Sequence, residues 1–444
     1  MPATRCGSIA PRLSVCPMNA GETNFAHRAL AVLRQGPFRR YIIGSAISDT
    51  GVWMQVMAQG WVMSSLTNRG FYLGLAAAAA GIPTLLLAVK GGEAADRYDK
   101  RKILIWAQVV QTVLALTLGF LVYTGWIQIW HVIVLAACLG VCIAYEMPAI
   151  SALVPELVSR DQIATAIALD RAVFHGSRLV GPSLAGMFVG WWGAASAFFC
   201  NALTFPALII ALASLPPRAI GTAEEEEQRK SGFKEGLIYV RNDRTILCMI
   251  ALIALSTIFI FPFLSAMLPL YVRNILELGP GPMGYLMAIS GSGSVLGALG
   301  LLSVPRHLRF RFMTGAVILA GLALCSMARS DGFVFSAISM GVLAIGLSAN
   351  FGLASTIVQE RAPAPLRGRI SAIFGLSFFG LTPVGSLLTP AFADLVGLRV
   401  SLIICGIIYG TLAVLVLGAA GRAGCEKTPA VPEAEPAPAP VTVV

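Results

Sequence analysis

Apolar stretches of about twenty residues recur along the whole chain, and they restrict its fold more than any motif does. They lie at 41–66, 71–90, 103–124, 131–153, 163–189, 193–215, 246–271, 281–303, 312–329, 333–358, 367–391 and 397–420. A helix of roughly 20 apolar residues crosses the ~30 Å hydrocarbon core of a bilayer. In lipid every backbone N–H and C=O must be satisfied internally, so such stretches read as helices. The pattern predicts an all-α membrane protein with twelve transmembrane helices. Composition agrees: 12% of residues are charged, against about 25% in soluble domains.

The net charge of +10 would suit a nucleic-acid partner, but its distribution excludes one. Of 32 Lys and Arg, only Arg69, Arg273, Arg329 and Arg399 fall in odd-numbered loops, and Arg171 and Arg178 fall inside a span. The rest cluster in the N-terminal arm, the even-numbered loops and the tail, which predicts cytosolic termini in the inner membrane of the cell. Nine cysteines are scattered without a disulfide framework. Cys138 and Cys142, one turn apart with no suitable His or acid nearby, read as packing residues rather than a metal site. No cleavable signal peptide is expected, and a start at Met18 fits the lack of pattern before it. The expected units are a disordered arm 1–38, a six-helix bundle 39–215, a cytosolic linker 216–245, helical near 232–241, a second bundle 246–420 and a disordered tail 421–444.

Between spans two and three stands Gly92-Glu-Ala-Ala-Asp96-Arg97-Tyr-Asp99-Lys100-Arg101-Lys102, which reads as a tight cytosolic turn. Traces of an internal repeat accompany it. Val154-Pro-Glu156 after span four parallels Val358-Gln-Glu360 after span ten, and Gly181-Pro182 parallels Pro383-Val-Gly385. Arg306, Arg309 and Arg311 occupy the loop equivalent to the Asp96 stretch.

Gly92, Asp96, Arg97, Lys100 and Arg101 resemble the loop signature of the major facilitator superfamily, with Asp99 where that family often has Gly. Trp53-Met-Gln55, Glu146-Met-Pro148 and Arg178-Leu-Val-Gly181-Pro182-Ser-Leu-Ala-Gly186 resemble its enterobactin-exporter-like and drug:proton antiporter branch. The resemblance covers roughly 38–420. It implies two pseudo-symmetric six-helix bundles around a central site, and proton-driven export of a small siderophore-like or drug-like molecule by alternating access. It also implies that Gly181, Pro182 and Gly186 form an antiporter-type bend, and that Asp96 latches onto the start of span eleven at Arg367-Gly368 in the outward-open state. A carboxylate at a helix N-terminus is stabilised by the free N–H groups there.

Charges in a bilayer core are costly, so intramembrane ones are functional candidates. They are Asp49, Glu146, Asp170, Arg171, His175 and Arg178. Asp49, Glu146 and Asp170 are the proton-coupling candidates, because protonation removes the desolvation cost of a buried carboxylate. Glu146 and Arg171 fall at similar depth on neighbouring spans, which suggests an ion pair that either locks the helices or couples them. Arg171, His175 and Arg178, spaced i, i+4, i+7, share a helical face. On a cavity wall they would favour an anionic or catecholate-like substrate; the alternative is support of helix packing. Ser48, Gln55 and Gln59 lie on one arc of span one with Ser45 and read as cavity lining, with hydrogen-bonded packing as the alternative.

The chain contains no nucleotide loop, metal cluster or activated nucleophile, so no enzyme and no cofactor is expected. The expected partners are a small-molecule substrate, protons and the lipid bilayer, with the protein a monomer. An importer of the same fold and a non-transporting sensor or assembly partner are the competing readings.

Overall fold

The computed structural model describes residues 25–215, 233–301, 304–363 and 365–425. Every regular element among them is helical. A short helix α1 (Phe25–Leu33) precedes the long α2 (Gly36–Leu66), α3 (Gly70–Arg97), α4 (Lys100–Tyr123), α5 (Ile129–Leu153), α6 (Ile163–Trp192) and α7 (Ala194–Ala213). After α8 (Phe233–Asn242), α9 (Arg244–Phe259) continues through a π-helical turn at Phe263–Met267 into α10 (Leu268–Asn274). Then follow α11 (Pro280–Gly300), α12 (Arg309–Arg329), α13 (Phe333–Arg361), α14 (Arg367–Phe379), α15 (Thr382–Val396) and α16 (Leu398–Cys425).

Ten helical stretches are long and apolar enough to cross a membrane, with α9–α10 and α14–α15 each counting as one. The helices α2 and α6 are as long but carry Asp49 and Asp170, Arg171 and Arg178, respectively. Large apolar side chains cover the outside, Leu203 at 78% exposure and Leu395 at 85% among them. A patch of that extent is matched to lipid, not water. Trp126 and Trp130 stand exposed around the α4–α5 turn, the depth at which aromatic anchors meet headgroups.

Two expectations are corrected. Residues 25–33, placed in a disordered arm, form α1, whose Val32 is fully buried; the rest of that arm, Met18 included, and most of the tail lie outside the described residues. The stretch from Gly92 to Arg97 is not loop but the last turns of α3. Only Tyr98 and Asp99 separate α3 from α4, and the Asp99 carboxylate caps α4 by accepting from the Arg101 backbone N–H at 3.0 Å. An aspartate there therefore caps the helix through its side chain, a hydrogen bond that a glycine cannot make.

The repeat is visible in the structure. Val154 and Val358, Gly181 and Gly385, and Gly193 and Gly397 stand at one separation of 204 residues. Gly193 (φ 82°) and Gly397 (φ 88°) make the tight turns that end α6 and α15, in a backbone region that disfavours side chains. A Cβ on Gly181 would lie 2.6 Å from the Thr50 carbonyl oxygen of α2, and one on Gly385 2.6 Å from that of Thr257 in α9. Lys100–Glu156 (2.9 Å) and Arg309–Glu360 (2.8 Å) are equivalent ion pairs. Helices α2–α7 pack mainly among themselves, as do α9–α16; the principal contacts between the sets are α6 with α11 and α3 with α15.

Candidate functional site

The intramembrane acids gather where α2, α4, α5 and α6 meet. Glu146 accepts from two amides of α4, Gln108 Nε2 at 2.7 Å and Gln111 Nε2 at 2.6 Å. Gln108 Oε1 accepts in turn from Ser48 Oγ at 3.0 Å. Asp170 accepts from the buried Tyr41 hydroxyl at 2.9 Å, and Arg171 Nε stands 3.8 Å from its other oxygen. Asp49 accepts from Ser45 Oγ at 3.0 Å. It lies within electrostatic range of Glu146, Asp170 and Arg171.

The expected Glu146–Arg171 ion pair is not formed. Arg171 points along its own helix to Asp170, and the Glu146 carboxylate is already occupied by two amide donors from one face of α4. Gln108 and Gln111, at i and i+3 in an apolar span, were the overlooked signal: two adjacent amides in lipid need a polar partner.

The polar arc of α2 is also placed differently from the expectation. Ser48 and Gln55 are buried against neighbouring helices, Ser48 on Gln108 and Gln55 accepting from Asn201 Nδ2 of α7 at 2.7 Å. Gln59 is half-buried. In this state Ser48 and Gln55 make hydrogen-bonded packing contacts with α4 and α7, partners that a single-helix projection cannot show.

A cavity of about 260 Å³ instead faces the adjoining arc of α2. Trp53 of α2, Arg178 of α6, Phe261 between α9 and the π-turn, and Met283, Met287 and Ser290 of α11 line it. It thus lies between the two helix sets. The Arg178 guanidinium carbon stands 5.3 Å from the Trp53 ring centroid. Of the three basic residues on one face of α6, only Arg178 borders this cavity; Arg171 and His175 are exposed toward the α6 N-terminus. Gly181, Pro182 and Gly186 continue the same helix into close packing: a Cβ on Gly284 would lie 2.4 Å from the Pro182 carbonyl oxygen and 3.1 Å from Gly186 Cα.

The two ends of the molecule differ. At the end carrying the α2–α3 turn, the sets are joined. Asp394 of α15 accepts from the backbone N–H groups of Gly70 (2.6 Å) and Phe71 (2.9 Å), capping the N-terminus of α3 across the interface. The Arg273 guanidinium donates to the Ser64 carbonyl near the C-terminus of α2. Gly74 lets the backbones touch, since a Cβ there would stand 1.9 Å from the Ser386 carbonyl oxygen. At the opposite end Gly92 and Gly368 face open space, and Asp96 and Arg97 are exposed. Lys100 pairs with Glu156 there, and Arg101 donates to the Leu215 carbonyl. The sequence reading missed Asp394, the one acid between spans eleven and twelve.

Comparisons with known proteins fit this architecture. A nucleoside transporter, NupG, in a variant crystal structure superposes with a TM-score of 0.70 at 13% identity, over 87% of this chain and 100% of that one. A bacterial homologue of the human lysosomal transporter Spinster, in an inward-facing and unoccupied conformation, gives 0.67 at 13% identity, over 88% and 98%. Among curated relatives, the multidrug efflux pump Tap of Mycolicibacterium fortuitum is 23% identical over 82% of this chain and 91% of its own length. Macrolide efflux protein A of Streptococcus pyogenes is 20% identical over 84% and 93%. The model of the family described as transmembrane secretion effector matches residues 27–435. The chain is a multi-pass membrane transporter belonging to that family, within the major facilitator superfamily.

Proposed function

We propose that this protein exports small, amphipathic, drug-like or siderophore-like molecules across the inner membrane by alternating access, driven by protons. In this reading α2 and α6 join the ten apolar stretches to give twelve spans in two six-helix bundles, 39–215 and 246–420, with the linker and both termini cytosolic and the protein a monomer. That Tap and macrolide efflux protein A are efflux proteins supports export over import.

The observation that carries the reading is the asymmetry of the two ends around the cavity. Asp394 caps α3 across the interface at one end, and Arg273 donates to the Ser64 carbonyl beside it. With that end closed, substrate would enter from the cytosolic end. Rocking about the α6–α11 and α3–α15 contacts would open the Asp394 end and bring Asp96 to the N-terminus of α14, where Gly368 leaves room for it. Gly92, Arg97, Lys100 and Arg101 complete that second latch.

Coupling falls to the acids of the first bundle. Asp49 shares its surroundings with Arg171, which pairs with Asp170 in this state. A carboxylate without a cation binds a proton more tightly than one paired with Arg. An Arg171 that approaches Asp49 in one state only, while the Tyr41 hydroxyl keeps Asp170 ionised throughout, would therefore let Asp49 bind and release one proton per cycle. Glu146 is the structural member, fixed by its two amides. The test is proteoliposomes with an imposed pH gradient and a panel of drugs and siderophores. Accumulation that follows the gradient supports the reading; movement only down the substrate gradient removes proton coupling.

A further inference from the structure

The cavity contains one charge. Among the described residues Arg178 forms no ion pair and no hydrogen bond, and its only partner is the face of Trp53. Opposite it, Ser290 of α11 is 4% exposed and its Oγ has no hydrogen-bond partner. Both border the cavity, and the helices that carry them pack closely there, since a Cβ on Gly291 would stand 3.4 Å from the Arg178 carbonyl oxygen. Apart from Ser265, the remaining walls are apolar, with Trp53, Phe261, Met283 and Met287 the polarisable members.

A guanidinium held in a low-dielectric wall without an acid is uncompensated, and an unpartnered buried hydroxyl also carries a cost. The cation–π contact with Trp53 engages no hydrogen bond, so the N–H groups of the guanidinium stay available, and their fork matches a planar anion or a strongly accepting oxygen group. A volume of 260 Å³ lies just under the ~300–1,000 Å³ of sites that enclose drug-sized ligands. It suits an aromatic acid, or the aromatic end of a larger molecule.

We propose that Arg178 and Ser290 are the polar end of the substrate site, that they select amphipathic aromatic molecules bearing one anionic group, and that cationic amphiphiles are disfavoured. The proposal deepens the export reading and rests on it for the word substrate. Because Arg178 lies on α6 and Ser290 on α11, the anion is held by both helix sets, and rocking would part its two ligands.

The test uses the full chain in nanodiscs and three matched probes: naphthalene sulfonate, naphthol and naphthylmethyl-trimethylammonium. The sulfonate should bind about tenfold or more tightly than the ammonium, the scale of a charge-assisted hydrogen bond. R178Q should lose about tenfold or more of the sulfonate affinity and keep naphthol within about twofold, which also reports that the variant is folded. R178K, which keeps the charge and loses the stacked fork, should fall between. S290A should lose about threefold for the sulfonate alone. A wild type that prefers the ammonium, or an R178Q whose sulfonate-to-ammonium ratio is unchanged, overturns the proposal. Competition by lysophosphatidylglycerol separates the sources of the anion: Arg178-dependent displacement assigns a lipid substrate, and none assigns a soluble one. Inverted vesicles separate the two readings. Arg178-dependent binding without any export leaves the site standing and removes the exporter; export with an unaltered charge preference in R178Q does the reverse.

Discussion

Replacing Asp394 should loosen the closed end without touching the cavity. Its two oxygens accept from Gly70 and Phe71 at 2.6 and 2.9 Å, so the residue works as a helix cap supplied from 324 residues away. Loss of a cap costs about 0.5–2 kcal/mol, and a carboxylate at a helix N-terminus contributes about 0.3–1 kcal/mol when exposed. Asp394 is exposed on its outer side, so screening holds the sum near the low end, ~1 kcal/mol. That corresponds to about fivefold in the ratio of closed to open molecules. Asp394→Ala should show the whole of this; Asp394→Asn, which keeps one acceptor oxygen, should show about twofold. Spin labels at the exposed positions Arg69 and Leu395, in a background without native cysteines, report the distance directly. The longer-distance population should grow in the order wild type, Asn, Ala, with the Ala effect shrinking in high salt. An Ala variant whose distance distribution matches the wild type would show that glycine packing alone closes this end, and the capping argument would fall.

Four other outcomes are expected. Gly74→Ala should shift the same label pair further than Asp394→Ala does, because its Cβ would enter the Ser386 carbonyl at 1.9 Å and overpacking costs ~1–3 kcal/mol; an unchanged distribution would mean that α3 and α15 part freely. Glu146→Gln should lower the thermal unfolding midpoint, since an amide replaces an acceptor facing two donors and an unmet buried donor costs ~1–3 kcal/mol; full stability with lost coupling would reassign Glu146 as the proton site. Asp49→Asn should keep counterflow and lose accumulation driven by a pH gradient, and uphill transport at the wild-type rate would move the proton site to Glu146 or Asp170. Cysteines replacing Arg69 and Arg399 should react with an impermeant reagent in intact cells; labelling only after permeabilisation would invert the topology.

How much of this was legible in the sequence depended on whether the deciding partner was local. Helix positions were, because hydrophobic length and charged turns are properties of a segment. The repeat was, through pairs such as Val154 and Val358. The capped start of α4 at Asp99 was within reach, since a cap is read from neighbours in the chain. Ser48, Gln55 and Glu146 were recognised as polar residues that need partners, but their partners Gln108, Gln111 and Asn201 sit on other helices, and only packing fixes which arc of α2 faces them. The same packing turned the Trp53 side of α2 toward the cavity. Asp394 was illegible for the same reason: in sequence it is an acid near the end of a span, and its meaning lies in the α3 terminus it reaches.

The repeat carries one further argument, about where a proton can be held. At the separation that pairs Gly181 with Gly385, Glu146 corresponds to Asn350, which is fully buried in α13. The second helix set thus keeps a polar side chain at that position but not a titratable one. Asp49, Asp170 and Arg171 all belong to α2 and α6, and the described acids of the other set, Asp243, Glu277, Asp331, Glu360 and Asp394, stand at helix ends or in turns. Protonation can therefore alter the charge inside the first set only, while the second offers the cavity Ser290, Met283, Met287 and Phe261, none of which changes charge. The α6 helix joins the two tasks. It holds Asp170 and Arg171 two turns from Arg178, and Arg178 faces both the cavity and α11. Under the proposed coupling, a change in the partner of Arg171 would be carried along one continuous helix to the side chain that would hold the substrate anion. Transport that needs both events to cross the membrane in opposite directions requires no second titrating site in the other half.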